Sequence, residues 1–158
     1  MKYDFKKIEP KWQKKWEDAG LFKAVDFSEK PKFYGLVEFP YPSGAGMHVG
    51  HIKAYSSIEV ISRKRRMQGY NVLFPIGYDA FGLPTENYAI KTNTHPRIIT
   101  DKNIEKFSNQ MESVGFSFDW SRVIDTSKED YYKWTQWIFR KLFDHGLVFR
   151  DKTTARRS

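Results

Sequence analysis

Residues 38–51 read Glu-Phe-Pro-Tyr-Pro-Ser-Gly-Ala-Gly-Met-His-Val-Gly-His, and this stretch decides the fold of the chain. An apolar, strand-like run over residues 33–39 leads into it, and a long helical pattern over residues 48–68 follows it. Backbone N–H groups at the start of a helix are unpaired and carry partial positive charge, so they suit an anion. A glycine-rich turn between a strand and a helix therefore predicts a phosphate-binding site.

Two histidines at the end of this stretch are the first candidate ligands. His48 and His51 are three residues apart and lie on one helical face, so both could donate hydrogen bonds to one phosphate chain. Gly50 lies between them without a side chain, so a flat group such as an adenine ring could approach the backbone there. A metal site and core packing are the alternatives. The chain has no cysteine and no third ligand nearby, and the glycines upstream make a poor core segment.

Composition limits the class of protein. A chain of 158 residues can form one domain with a real core. Its net charge of +8 favours a polyanionic partner such as nucleic acid. The absence of cysteine excludes disulfides and thiolate zinc sites. No apolar run reaches the roughly 18 residues of a membrane span, and the N-terminus lacks the apolar centre of a signal peptide, so we expect a cytoplasmic protein without a membrane partner.

The basic cluster Arg63-Lys64-Arg65-Arg66 lies at the predicted end of the helix that starts near His48. Cations at that end complement the helix dipole. We therefore interpret the cluster as structural first and as RNA-binding second.

Periodicity and turn residues predict alternating strands and helices. In chain order the predicted elements are helix 6–19, strand 33–39, helix 48–68, strand 71–74, helix 85–91, helix 101–114, helix 127–144 and strand 147–150. This alternation favours an α/β fold with a short parallel sheet flanked by helices. The loops over 40–48 and 75–84 leave the carboxyl ends of strands, so we expect them to open onto one crevice.

Local signals also predict how several helices begin and end. Pro10 should lie in the first turn of its helix, and Thr100 should be the N-cap of the helix over 101–114. Thr126, with Glu129 three residues later, forms the pattern of a capping box. Gly69 and Gly115 should end their helices.

Asp79 and Tyr41 are the second pair of candidates. Asp79 lies in a loop punctuated by proline and glycine, where a carboxylate could bind the α-ammonium group of an amino acid. A loop aspartate that caps backbone N–H groups is the alternative. Tyr41 could close over an apolar side chain, although packing alone would also explain it.

Three motifs together resemble the leucyl-tRNA synthetases, a family of class I aminoacyl-tRNA synthetases. They are Phe-Pro-Tyr-Pro-Ser-Gly (39–44), His-Val-Gly-His (48–51) and Gly-Tyr-Asp-Ala-Phe-Gly-Leu-Pro (77–84). His-Val-Gly-His is similar to the HIGH signature of that class. The run over residues 79–86 points to the leucine enzymes over their isoleucine, valine and methionine relatives. The resemblance covers about residues 3–152.

The resemblance implies the first half of a Rossmann-like (HUP-type) catalytic domain. It also implies activation of leucine by ATP to leucyl-adenylate, followed by transfer to tRNA(Leu). Mg²⁺ would accompany ATP, and no protein-bound metal is expected. The ATP-binding residues that it implies are His48, Gly50 and His51, with both histidines catalytic, and the leucine-binding residues are Phe39, through its carbonyl, Tyr41 and Asp79.

The chain also departs from this family. The second catalytic signature, KMSKS, is missing, as are the second half of the sheet and the editing and anticodon-binding domains. We divide the chain into a helix and linker (1–32), the half-domain (33–152) and a tail unlike the family (153–158). The sequence thus predicts a truncated chain that is impaired alone, with a complementary chain carrying KMSKS as a candidate partner.

Two other functions stay open at this point. One is a small His-x-Gly-His nucleotidyltransferase such as pantetheine-phosphate adenylyltransferase. Those enzymes typically place Gly-x-Phe-Asp-Pro before the histidines, where this chain has Phe-Pro-Tyr-Pro over residues 39–42. The other is a non-catalytic fragment that binds RNA or a partner through its basic surface.

Overall fold

The computed structural model describes residues 3–42 and 46–152. Helices and short strands are interspersed along these ranges. The elements are α1 (Phe5–Asp18), β1 (Lys32–Tyr34), α2 (Val49–Met67), β2 (Asn71–Leu73), β3 (Gly77–Tyr78), α3 (Leu83–Thr92), α4 (Pro96–Val114), β4 (Ile124–Asp125) and α5 (Glu129–Asp144), with a 3-10 turn at Trp120–Arg122 before β4.

The strands form two parallel pairs. β1 pairs with β2, with Phe33 opposite Val72, and β3 pairs with β4, with Tyr78 opposite Asp125. Between β2 and β3 the Phe74 carbonyl accepts the N–H of Asp119 at 2.8 Å, so the chain changes partner there. The prediction of a parallel sheet flanked by helices is confirmed. The pairing is limited to two short parallel ladders, β1 with β2 and β3 with β4.

Two strand predictions need correction. The predicted strand over 33–39 ends at Tyr34, because the neighbouring chain turns to a different partner at Phe74. The predicted strand over 147–150 is wrong. Leu147 and Phe149 are 69% and 81% exposed, and this segment is irregular with no strand pairing to it in the described part of the chain.

The helix ends also differ from prediction at the N-terminal side. Pro10 lies inside α1, at its sixth residue, beyond the first turn. Thr100 is buried within α4, and the N-cap is His95, whose side chain accepts the N–H of Arg97 at 3.2 Å. Pro96 at the first helical position explains the earlier start, because its fixed φ suits that position.

The predicted capping box at Thr126 is wrong as well. α5 starts at Glu129 after an N-cap at Lys128 that makes no side-chain cap bond. The Thr126 hydroxyl instead accepts the N–H of Ala80 at 2.9 Å. The C-terminal signals hold, since Gly115 and Gly69 have positive φ at or just after the ends of α4 and α2.

The core lies between α2, α4 and the central stretch over residues 71–78, which contains β2 and β3. Tyr55 of α2 is 2% exposed and meets the rings of Phe116 and Phe118 edge-on, each at 5.9 Å. Phe107 and Met111 anchor α4 in the same cluster. This packing fixes the start of α2, where the predicted phosphate site lies. By contrast, none of the described residues of α5 is buried.

The basic cluster at the end of α2 is largely engaged inside the fold. The buried Glu59 carboxylate accepts hydrogen bonds from Arg63 Nε and from the Ser117 N–H, the latter at 2.8 Å. Arg66 donates to the Ser117 hydroxyl and carbonyl at 2.5 and 2.8 Å. The structural interpretation of the cluster is confirmed for Arg63 and Arg66.

Among the described residues, no helix combines the length and the apolar character that crossing a bilayer requires.

Candidate active site

The two histidines cap the N-terminus of α2 reciprocally. His48 is the N-cap, and its Nδ1 accepts the N–H of Gly50 at 3.1 Å. His51 Nδ1 accepts the N–H of His48 at 3.2 Å. An imidazole nitrogen that accepts a hydrogen bond carries no proton, so this geometry assigns the proton of each neutral ring to Nε2. Each ring thereby keeps an Nε2–H donor for a ligand.

The rings also stack on each other, with centroids 3.9 Å apart and planes inclined by 30°. Partial burial lowers the pKa of His51, and the neighbouring His48 lowers it further, while Glu38 acts in the opposite direction. Two positive rings at this distance would repel each other. At neutral pH and without a ligand, His51 is therefore a neutral hydrogen-bond donor at the end of a helix that already favours anions.

Gly50 has a structural role in this cap. A Cβ atom at this position would lie 2.8 Å from Cε1 and 2.9 Å from Nδ1 of His48. Any larger residue would displace the His48 ring from the N–H that it accepts. This second reason for a glycine at position 50 is not visible in the sequence, where only the approach of an adenine ring is predicted.

On the other side of the site, Asp79 lies against the loop that begins at Phe39. The Asp79 N–H donates to the Pro40 carbonyl at 3.1 Å. The Phe39 ring covers Gly77, where a Cβ atom would lie 2.6 Å from the ring. The two predicted loops therefore meet, and Phe39 and Asp79 are brought together.

Tyr41 also reaches the second loop. Its ring covers Gly82, and its hydroxyl shares a hydrogen bond of 3.2 Å with the hydroxyl of Thr85, which is buried at the start of α3. Phe39, Tyr41 and Asp79, predicted to bind one amino acid, thus belong to one local cluster.

The short segment 38–40 connects the histidine pair with Asp79. The Glu38 carbonyl accepts the hydroxyl of Tyr55 at 2.9 Å, and the Tyr55 ring lies 5.9 Å from the ring of His51. Two residues later, the Pro40 carbonyl accepts the Asp79 N–H. Two residues of extended chain span at most about 7 Å. The Phe39 carbonyl lies between these two anchor points.

The residues that hold these loops could not be identified from the sequence. Thr126 supports the second loop: its hydroxyl accepts the Ala80 N–H and makes a long contact of 3.5 Å with the Asp79 carboxylate. The pattern around Thr126 looked like a helix cap, which hid this role.

Two amides of α4 hold the first loop. Asn103 Nδ2 donates to the Pro42 carbonyl and Gln110 Oε1 accepts the Met47 N–H, both at 2.8 Å. Neither residue stands out in the sequence, because polar residues at such positions usually face solvent. The end of the Phe-Pro-Tyr-Pro-Ser-Gly motif, Ser43 and Gly44, lies outside the described residues.

Comparison with known proteins gives the family. The family model for tRNA synthetases class I (I, L, M and V) matches residues 11–156. A leucine–tRNA ligase from Alkaliphilus oremlandii is 57% identical over 150 residues, covering 95% of this chain and 19% of the relative. One from Chlorobaculum tepidum is 54% identical over 149 residues, covering 94% and 18%. The chain thus spans about a fifth of the length of the curated relatives that it matches.

Solved structures agree with these relatives. LeuRS from Agrobacterium radiobacter K84, in a ternary complex with tRNA and LeuAMS, superposes with a TM-score of 0.87 at 38% identity, covering 96% of this chain and 19% of that one. Methionyl-tRNA synthetase from Mycobacterium tuberculosis, in complex with methionyl-adenylate, gives a TM-score of 0.64 at 28% identity, covering 73% and 22%. The Rossmann-like half-domain predicted from sequence is therefore confirmed as a fold.

These matches favour the synthetases over the small His-x-Gly-His nucleotidyltransferases as the source of the motif. The chain belongs to the class I aminoacyl-tRNA synthetases and, within that class, to the leucine–tRNA ligase family.

Proposed function

We propose that this chain supplies half of the site at which a leucine–tRNA ligase joins leucine to ATP. The observation that carries the proposal is that segment 38–40 connects both groups: the Asp79 N–H bonds to it directly, and the histidine pair reaches it through Tyr55. One small ligand could touch the imidazole donors at one end and the carboxylate at the other. An aminoacyl-adenylate has that form, with the phosphate and the ammonium group on either side of its acyl–phosphate anhydride.

In this proposal His48 and His51 bind the phosphates of ATP, with Mg²⁺ bound to the nucleotide. Their Nε2–H groups and the start of α2 stabilise the charge that develops when a leucine carboxylate oxygen attacks the α-phosphorus. The new bond joins that oxygen to phosphorus, and pyrophosphate leaves with the electrons of the broken P–O bond. The attacking carboxylate carries no proton, so neither histidine acts as a general base. Gly50 lets the adenine approach the backbone.

The leucine end is assigned to the second cluster. Asp79, whose carboxylate is exposed apart from its long contact with Thr126, pairs with the α-ammonium group. The Phe39 carbonyl accepts a second hydrogen bond from that group, and Tyr41 borders the leucine side chain. A charged partner matters here, because a desolvated ammonium group is costly without one.

The complete reaction needs more than this chain contains. Transfer to tRNA(Leu) and the KMSKS lysines are assigned to the rest of a whole enzyme or to a complementary polypeptide, in the cytoplasm. The division at residues 32 and 152 is part of the same proposal. Alone, the 158-residue chain is expected to bind ATP weakly and to activate leucine feebly.

Titration calorimetry with a leucyl-adenylate analogue is the direct test. The purified chain should bind the leucyl analogue more tightly than the isoleucyl, valyl and methionyl analogues, since those amino acids define the related enzymes. The His51→Ala variant should lose affinity for ATP, and the Asp79→Asn variant for leucine. ATP–pyrophosphate exchange with and without leucine then measures activation.

The outcomes separate clearly. Preferential binding of the leucyl analogue supports the proposal. Absence of binding to every analogue by a folded chain contradicts it. Exchange at the rate of a complete synthetase would contradict the expected impairment and leave the site assignment supported.

A further inference from the structure

The first loop is attached to α4 at both of its described ends. The Pro42 carbonyl accepts a hydrogen bond from Asn103, and the Met47 N–H donates one to Gln110, each at 2.8 Å. Met47 directly precedes the His48 cap. The Gln110 contact therefore acts one residue away from the proposed phosphate ligands.

The helix that makes these contacts is held firmly. Asn103, Phe107 and Gln110 recur at intervals of four and three residues, so they share one helical face. Phe107 is 1% exposed and its ring lies 6.0 Å from the ring of His51. The two amides thus project from a helix that the core fixes beside the histidine pair.

Gly46 provides an independent sign that the Gln110 contact is specific. Its φ of +93° is a conformation that side-chain-bearing residues rarely adopt. A Cβ atom there would lie 2.7 Å from Gln110 Oε1. The backbone thus leaves room for the amide to reach the Met47 N–H.

We propose that Gln110 is a positioning residue for the ATP site: it fixes Met47, and so the His48 cap, while Asn103 holds the other described end of the first loop. This inference rests on the proposed function, because the ligand of the histidines is ATP in that proposal. Neither amide contacts the ligand in this scheme. The effect of Gln110 is to hold the imidazole donors in place before ATP arrives, which lowers the ordering cost of binding.

The test compares three variants of the full 158-residue chain with the parent. Gln110→Met keeps the length of the side chain and removes the acceptor, and Gln110→Glu keeps an acceptor. Asn109→Met, at an exposed neighbouring position, is the matched control. Amide hydrogen exchange at Met47 and His48 reports the Gln110 contact directly, and calorimetry measures affinity for MgATP and, separately, for leucine.

Loss of one net hydrogen bond corresponds to about a fivefold change. Gln110→Met should speed exchange at Met47 and weaken MgATP binding by about that factor, with leucine affinity unchanged. Gln110→Glu should keep amide hydrogen exchange at Met47 slow, and Asn109→Met should match the parent in both exchange rate and MgATP affinity. Thermal unfolding of each variant shows that the fold is kept.

Several results would overturn the inference. One such result is that Gln110→Met and Asn109→Met show the same rate of amide hydrogen exchange at Met47 and the same affinity for MgATP. Faster exchange without any loss of ATP affinity would reduce Gln110 to a structural role. A parent chain that bound no ATP would overturn the proposed function, and the Gln110 contact would then be judged on exchange at Met47 and His48 alone.

Discussion

Helix α2 carries nitrogen hydrogen-bond donors of basic side chains at both ends, and the two ends differ in whether those donors already have partners within the fold. At the C-terminal end, Arg63 and Arg66 are held by Glu59, by Ser117 and by the Gly115 carbonyl. At the N-terminal end, His48 and His51 use only Nδ1 within the cap and retain Nε2–H. Basic residues can be located in the sequence, and hydrogen bonding in the structure decides which of their donors can serve a ligand.

The same comparison qualifies the RNA hypothesis. Arg65 lies over the ring of Tyr70 at 5.0 Å, and Lys64 is exposed. Much of the positive charge in the basic cluster over residues 63–66 thus lies in contacts within the fold. Contact of its remaining cations with tRNA stays a prediction.

The largest expected effect concerns the structural end of α2. Glu59→Leu removes the carboxylate, 8% exposed as a residue, that holds Arg63 and Ser117. Breaking a buried ion pair leaves an uncompensated charge, and because Arg63 is partly exposed we expect the low end of the usual range, about 3 kcal/mol of unfolding free energy. Urea denaturation measures the loss. The exposed Glu105→Leu is the control, and an equal loss in both variants would contradict the contrast between the ends.

The next effect concerns the ligand side. Asp79→Asn removes the charge proposed to pair with the leucine ammonium group, so affinity for leucine should fall by about 2 kcal/mol, roughly 30-fold. Stability should change by less than about 0.5 kcal/mol, because the site is exposed. Calorimetry and denaturation measure the two quantities, with Asp130→Asn as control. A large loss of stability would show that Asp79 serves the fold instead.

A smaller effect is expected from Gly50→Ala at the N-terminal end. The added Cβ would collide with the His48 ring and displace it from the cap. We expect MgATP affinity to fall by about tenfold, or about 1.4 kcal/mol, while leucine affinity is kept. The control is Val49→Ala, at an exposed neighbour. Unchanged ATP binding would mean that the position of His48 is irrelevant to the nucleotide.

The smallest effect is the pH response of the histidine pair. The pKa of His51 lies below its ordinary value through burial and the neighbouring His48, so the folded state binds its proton less readily than the unfolded chain does. Its contribution to stability is then present above about pH 6.5 and is lost as pH falls through the lowered pKa. NMR titration of the ring protons measures this. Added MgATP should raise that pKa, and a free-state pKa above the ordinary value would contradict the assignment.

Much of the fold could be predicted from the sequence because its helices are long and carry strong end signals. α2 and α4 end at glycines that the pattern identified. β3 and β4 were missed because two residues are too few for periodicity. The start of α4 was missed because the pattern at Thr100 obscured Pro96.

The candidate site shows the same division between local and distant information. His48, His51 and Asp79 could be selected from motifs because their signals lie within a few residues. Gln110 and Thr126 could not, since their partners are 63 and 46 residues away in the chain. A side chain whose role depends on such a distant partner carries no local pattern.

The packing of Phe39 on Gly77 has a consequence for how the two loops can vary. The ring occupies the volume that any side chain at position 77 would need, and the Ile124 carbonyl closes the space from another direction at 2.8 Å. A smaller residue at position 39 would relieve only the ring contact, so any side chain at position 77 would still press on the backbone of β4. In a saturation library, glycine at position 77 should therefore persist whichever residue occupies position 39.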